Sequence, residues 1–113
     1  MLVLKFGGTS VGSAERMKAL VPLINSGDRK VVVLSAMSGT TNALVGIGSA
    51  LYAGDIDKAR NLIDALERKY YGVVEELFSG VAGKLKGEGL VREHFTYLRS
   101  FTIDMFTANE GCL

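Results

Sequence analysis

The sequence predicts an α/β protein with parallel strands, and three observations lead to this class. Two short apolar segments, Leu2 to Phe6 and Lys30 to Ser35, are typical of strands, the second being β-branched and bounded by turn residues. Between them, apolar residues repeat with the spacing of one helical face, at Met17, Leu20, Val21 and Ile24. A strand, a helix and a second strand in this order predict a right-handed βαβ unit with two parallel strands.

The first strand is mostly apolar, so we expect it to be buried on both faces, as parallel strands usually are. Ser13 can cap the first helix, and Glu15 lies in the first turn, where its charge complements the helix dipole. Pro22 should kink or end that helix locally, because proline removes a backbone donor, and Gly27 is the expected terminator.

The remainder of the sequence predicts helices. The turn SGTTN (38–42) should cap a helix that runs to Gly54, and Asp55 should open a longer helix. The apolar stripe of the longer helix comprises Ala59, Leu62, Ile63, Leu66, Tyr70, Val73, Val74 and Leu77. The glycine-bearing stretch SGVAGKLKGEG (79–89) predicts a connector. A final helix then carries apolar side chains at Val91, Phe95, Leu98, Phe101 or Thr102, and Met105.

Two strands are too few for this type of sheet. Parallel α/β units normally belong to sheets of roughly five or more strands, with both faces covered by helices. We therefore expect residues 1–113 to be the opening, N-terminal part of a larger domain. Strand edges and helix faces meant for the rest of that domain would lack partners, so we also expect a homo-oligomer.

Composition argues against several functional classes. The 113 residues carry 13 basic and 12 acidic side chains, which gives no electrostatic footprint for nucleic acid or an anionic membrane. No apolar run approaches the ~20 residues of a membrane span, and we expect no secretory leader. Cys112 is the single cysteine, so neither a disulfide framework nor a cysteine zinc site is expected. His94 stands alone and is expected on a helix surface. A cytoplasmic protein is the plain expectation.

Chemistry is concentrated at the carboxyl ends of the two predicted strands, where open α/β sheets bind ligands. The first end supplies Lys5, Gly7, Gly8, Thr9 and Ser10. The second supplies Ser35, Ser38, Gly39, Thr40, Thr41 and Asn42. Glycines let backbone amides approach an anion, hydroxyl groups add donors, each loop leads into a helix N-terminus, and the lysine adds a full charge. The combination predicts a polyphosphate site.

Two common nucleotide motifs do not fit. A P-loop, G-x-x-x-x-G-K-S/T, places its lysine after the glycines, whereas Lys5 precedes them. The dinucleotide motif G-x-G-x-x-G fails on the spacing of Gly7, Gly8 and Gly12, and Ser35 stands where a ribose-binding acid is expected.

Two motifs of the sequence, taken together, do fit a known pattern. KFGGTSVG (5–12) and VVVLSAMSGTTN (31–42) together closely resemble the amino acid kinase superfamily and, within it, the aspartokinases. The resemblance extends to about Thr107, and the final ANEGCL does not continue it. It implies a three-layer α/β/α, carbamate kinase-like fold. It also implies the reaction in which ATP, with Mg2+ bound through the nucleotide, phosphorylates L-aspartate to 4-phospho-L-aspartate, the first step toward lysine, threonine and methionine.

The resemblance also implies residue roles. Lys5 would neutralise the transferred phosphoryl group, the Gly7 and Gly8 amides would hold the β- and γ-phosphates, and Thr9 and Ser10 would add hydroxyl donors. On the aspartate side, Ser35 and Thr41 would face the substrate, and Gly39 and Asn42 would shape the turn. The alternatives left open are a solvated Lys5, glycines that form a mere tight turn, a Ser35 that merely ends a strand, and a Thr41 that serves only as a helix N-cap.

One departure limits the expected activity. The family's substrate-binding glutamate belongs to a Gly-Glu motif, and Glu110-Gly111 has the reverse order. The adenine-binding half of the ATP site and the regulatory ACT domains are likewise expected outside this sequence, so the chain alone should carry part of the site and be inactive. Two alternative functions remain: another phosphotransferase of the superfamily, and a non-catalytic anion-binding or assembly module.

Overall fold

The computed structural model describes the backbone of residues 1–111 and the side chains of residues 1–100 and Thr102. Phe101, Met105, Glu110 and Cys112, which the sequence analysis singles out, have side chains outside this set. The elements are β1 (Leu2–Phe6), α1 (Ala14–Ile24), β2 (Lys30–Leu34), α2 (Thr40–Tyr52), α3 (Ile56–Leu77) and α4 (Val81–Gly111). This order, with a small parallel sheet and long helices, agrees with the α/β class.

The sheet pairs β1 with β2 in parallel, in a register that runs from Leu2 opposite Lys30 to Phe6 opposite Leu34. The backbone N–H of Ser35 donates to the carbonyl of Phe6 at 3.0 Å, which extends the pairing by one bond beyond β2. The carboxyl ends of the two strands therefore lie side by side, as the βαβ prediction requires.

The prediction that β1 is buried on both faces is wrong. Leu4, Phe6 and Val32 share one face and are half-buried. On the opposite face Val3 is 67% exposed and Val33 is 45% exposed. Apolar content predicted burial, but burial needs a neighbouring layer. In the described part of the chain each strand has one strand beside it and only partial cover on one face, where Leu2 and Leu34 remain 56% exposed.

Helix α1 begins where the sequence predicts and ends before its predicted terminator. Ser13 is its N-cap, and its Oγ accepts a hydrogen bond from the backbone N–H of Arg16 at 3.3 Å. The helix continues past Pro22 to Ile24, so the proline lies in the last turn. Asn25 is the C-cap and donates to the carbonyl of Val21 at 2.8 Å, so the helix ends before Gly27, the terminator that the sequence predicted.

The hydrophobic core lies among the last three helices. Asp55 caps α3 as predicted, since its Oδ1 accepts from the backbone N–H of Lys58 at 3.1 Å. The rings of Tyr70 and Phe95 meet edge to face, with centroids 5.6 Å apart at 77°. Buried side chains from all three helices form the core: Ile47, Ala50, Leu51, Ala59, Ile63, Leu66 and Phe95.

The predicted connector at residues 79–89 is instead helical. Helix α4 begins at Val81 and includes Gly83 and Gly87 without a break. A Cβ atom at Gly87 would lie 2.9 Å from Cγ1 of Val74, and one at Gly83 would lie 3.0 Å from Cδ1 of Phe78. These glycines therefore allow α4 to approach the end of α3 closely, a contact that local helix propensity does not reveal. Among the described residues, no helix is long and apolar enough to cross a membrane.

Candidate functional site

The two strand ends meet in one cleft, with a volume of about 840 Å³. Its walls come from the loop after β1, the first turn of α1, the loop after β2 and the first turn of α2. The lining residues are Gly8, Thr9, Gly12, Ser13, Arg16, Ser35, Ala36, Met37, Ser38, Gly39, Thr41 and Asn42. Small and hydroxyl-bearing residues dominate this surface, so backbone groups are accessible to a ligand.

The loop after β1 is a compact turn. The carbonyl of Gly7 accepts from the backbone N–H groups of Ser10, at 3.0 Å, and Val11, at 3.2 Å. Val11 is 2% exposed and anchors the turn in the interior. A Cβ at Gly12 would lie 2.9 Å from the carbonyl oxygen of Gly8, so a side chain there would disrupt the turn.

The same glycines bring the two loops together. A Cβ at Gly12 would lie 3.4 Å from Cβ of Ser38, and one at Gly8 would lie 3.8 Å from the carbonyl oxygen of Ala36. Both are contacts between the first loop and the second. The cleft is narrow enough to engage one ligand from both sides because these positions carry no side chain.

The loop after β2 enters α2 through Gly39, the N-cap, whose φ of +83° lies in the left-handed region that favours glycine. The interpretation of Thr41 as an N-cap only is therefore wrong, since Gly39 holds that position. Thr41 and Asn42 are exposed and line the cleft. Thr40, one residue earlier, is buried, and its Oγ1 lies 2.8 Å from Oη of Tyr70.

The cleft gathers six of the nine predicted site residues: Gly8, Thr9, Ser35, Gly39, Thr41 and Asn42. Lys5, Gly7 and Ser10 are outside its lining. Lys5 is exposed on β1, opposite Val33. Gly7 and Ser10 instead form the turn, because the backbone N–H of Ser10 donates to the carbonyl of Gly7.

Arg16 is a cleft residue that the sequence analysis missed. Its Nη1 donates to the carbonyl of Thr9 at 2.6 Å, and its side chain lines the cleft. A signal was present in the sequence, because a cation in the first turn of a helix opposes the helix dipole and needs a compensating partner. The guanidinium has five N–H donors, so donors remain beyond the one that binds Thr9.

The charges of the cleft suit an anion. Arg16 supplies a positive charge, and the described lining residues include no carboxylate. Among the described residues, no group of three or more His, Cys, Asp or Glu side chains could hold a metal ion. Glycine backbone, hydroxyl groups and a guanidinium fit phosphate oxygens, and they are poor direct ligands for Mg2+, which prefers carboxylates and phosphates.

No protein-family model matches the chain. Curated proteins do match it: an aspartate kinase of Pseudomonas fluorescens is 49% identical over 59 residues, which cover 49% of this chain and 14% of that protein. The chloroplastic aspartokinase 3 of Arabidopsis thaliana is 39% identical over 95 residues, or 81% of this chain and 16% of the relative. The chloroplastic aspartokinase 2 of the same plant is 58% identical over 48 residues, or 41% and 9%. The chain thus matches only about a tenth to a sixth of the length of these relatives, and the matches show that it is homologous to a segment of the aspartokinases.

Proposed function

We propose that the cleft is part of the active site of an aspartate kinase, which transfers the γ-phosphoryl group of ATP to the side-chain carboxylate of L-aspartate. The observation that carries the proposal is the meeting of both strand-end loops in one cleft, whose described lining residues include an arginine and no carboxylate. The residues belong to an α/β chain homologous to aspartokinases. In the proposed reaction a carboxylate oxygen bonds to the γ-phosphorus, the bond from phosphorus to the β,γ-bridging oxygen breaks, and ADP leaves.

The loop after β1 is the proposed phosphate side. The backbone of Gly7 and Gly8 and the hydroxyl groups of Thr9 and Ser10 would hold the β- and γ-phosphates, and Arg16 would add charge. Phosphoryl transfer needs mainly positioning and charge stabilisation, which such donors supply. Mg2+, when bound through the nucleotide phosphates, neutralises charge on the transferred group.

Lys5 is the proposed catalytic residue. It lies on β1, two residues before the glycines, and its exposed side chain is free of a rigid packing role. A lysine side chain is long and flexible, so its ammonium can follow the phosphoryl group during transfer.

The loop after β2 is the proposed aspartate side. Ser35 and Thr41 line the cleft with hydroxyl groups, Asn42 adds an amide, and Gly39 sets the turn. We also propose that residues 1–113 are the N-terminal part of a three-layer kinase domain, that the protein is cytoplasmic, and that it forms a homo-oligomer. A non-catalytic anion-binding module remains the second candidate, which the same cleft favours.

Aspartate-dependent ADP release separates the two candidates. The product of the complete gene should release ADP when both ATP and L-aspartate are present, whereas this chain alone should be silent, because positioning of both substrates is needed for the rate. Lys5→Met in the complete product should lower kcat by about 10²–10³-fold, the scale for losing one preorganised donor. Lys18→Met, an exposed lysine on α1, should leave kcat unchanged. Normal kcat in the Lys5 variant would remove Lys5 from the mechanism, and no ADP release by the complete product would refute the kinase.

A further inference from the structure

We propose that Lys69 and Tyr70, two adjacent residues of α3, are positioning residues that fix the turn at residues 38–40 and thereby orient the aspartate side of the cleft. Both contact the turn from 30 or 31 residues away in the sequence. Neither lines the cleft, so any influence on a ligand must act through the turn.

Tyr70 holds the turn from the core. Its Oη lies 2.8 Å from Oγ1 of Thr40, which is 9% exposed, so the two hydroxyl groups satisfy each other in a partly buried contact. The Tyr70 ring packs edge to face on Phe95, which is 5% exposed and belongs to the core. The hydroxyl group that meets Thr40 is therefore carried by a ring that cannot easily move.

Lys69 holds the same turn from its outer side. Its Nζ donates to the carbonyl oxygen of Ser38, a charge-assisted hydrogen bond. Gly39 leaves room for it, because a Cβ there would lie 3.2 Å from Nζ of Lys69. This glycine thus serves two purposes, a left-handed φ and space for the ammonium group.

These contacts decide which hydroxyl group faces the ligand. Successive residues of a helix point about 100° apart. Because Thr40 is directed inward to Tyr70, Thr41 and Asn42 are directed to the cleft, where both are exposed. A rotation of this first turn would replace Thr41 by Thr40, so the contact with Tyr70 selects the presented residues. That the ligand facing Thr41 and Asn42 is L-aspartate rests on the proposed function.

The chain itself provides the first test, by amide hydrogen exchange in nuclear magnetic resonance spectra. The amides that report on the turn are those of Thr40, which donates to Met37, and Ala43, which donates to Gly39. Tyr70→Phe keeps the ring and removes the hydroxyl group, so amide exchange at Thr40 and Ala43 should become about two- to ten-fold faster, the scale of one net hydrogen bond. Exchange at Ile63, in the core, should not change. Tyr71→Phe is the matched control, because Tyr71 contacts Glu67 on its own helix and not the turn. Unchanged exchange at both Thr40 and Ala43 in the Tyr70 variant, or an equal increase at Ile63, would overturn the proposal.

A double-mutant cycle tests the partner directly. Thr40→Val removes the same hydrogen bond from the other side, so the double variant with Tyr70→Phe should show no more rapid exchange at Ala43 than the worse single variant. Additive effects would show that the two hydroxyl groups act separately. Lys69→Met should accelerate exchange at Thr40, whose amide donates to Met37, whereas Arg68→Met, for the neighbouring exposed cation, should not.

Kinetics of the complete gene product then test the consequence for the substrate. Tyr70→Phe should raise the KM for L-aspartate about two- to ten-fold and leave the KM for ATP unchanged. Altered exchange with an unchanged KM for aspartate would confine the positioning role to the turn and contradict its link to the ligand. A complete product that lacks kinase activity would refute the proposed function and leave the exchange result intact.

Discussion

The helical part of the molecule and its two-stranded part differ sharply in burial. Ile63 of α3 and Phe95 of α4 are 1% and 5% exposed, whereas Val3 of β1 and Leu34 of β2 are 67% and 56% exposed. Helices α2, α3 and α4 find their packing partners in one another. The strands hold the candidate site at their ends, yet most of the contacts that fix its loops come from the helices and from loop glycines. The helices therefore supply both the core and much of the support for the site, whereas the strands supply its location.

The largest effect should come from the core of the helical part. Ile63→Ala should lower the free energy of unfolding by about 2–5 kcal/mol, because it removes a side chain buried at 1% exposure and leaves a cavity. Val33→Ala, at 45% exposure on β2, should cost less than about 1 kcal/mol. Urea denaturation followed by circular dichroism measures both. Equal losses at the two positions would erase the difference between the two regions.

A smaller change in the free energy of unfolding is expected where α4 approaches α3. Gly87→Ala should destabilise the fold by about 1–3 kcal/mol, because the new Cβ would lie 2.9 Å from Cγ1 of Val74. Gly89→Ala is the matched control in the same helix: no atom lies within 4 Å of its Cβ position, so the change should stabilise the protein by about 0.5–1 kcal/mol through helix propensity. Thermal unfolding of the two variants should therefore shift in opposite directions. Stabilisation by both would mean that the helices are not in close contact at Gly87.

The sequence predicted the features that depend on neighbouring residues. The βαβ order, the Ser13 and Asp55 caps and the loops that form the cleft follow from local spacing. The helical state of residues 81–89 could not be predicted from propensity, because it depends on contacts of Gly87 with Val74, on another helix. The exposure of Val3 depends on whether another layer of structure packs against its face of the sheet. The apolar content of the strand does not carry that information.

The candidate site shows the same limit. Arg16 lies close in sequence to the first loop and could have been found from its unfavourable place in a helix first turn. Lys69 and Tyr70 could not, because 31 and 30 residues separate them from the residues they contact. Spacing within a motif carries information about local turns, whereas their support by a distant helix becomes visible only in the folded chain.

The smallest expected effect concerns association through the strands. Their exposed apolar face is a surface on which a second copy can pack, so we expect sedimentation of the chain to show concentration-dependent self-association. Val3→Lys should weaken that association roughly ten-fold, since a charge opposes burial of this face. Val45→Lys, on α2 at 63% exposure, should have no effect. A larger effect at Val45 than at Val3 would assign association to the helices, and a monomer at all concentrations would contradict association altogether.

Titration of the isotope-labelled chain with ATP and Mg2+, followed by amide chemical shifts, tests most directly the claim that both strand ends form one site. The γ-phosphate held by the first loop must reach the aspartate side, so it should be felt by the second loop as well. The amides of Gly8 and Thr9 in the first loop, and of Gly39 and Thr41 in the second, should shift together along one binding curve. Higher salt should weaken that binding, because the interaction is with an anion. Shifts confined to one loop, two curves with different midpoints, or shifts outside the cleft would contradict a single site built from both strand ends.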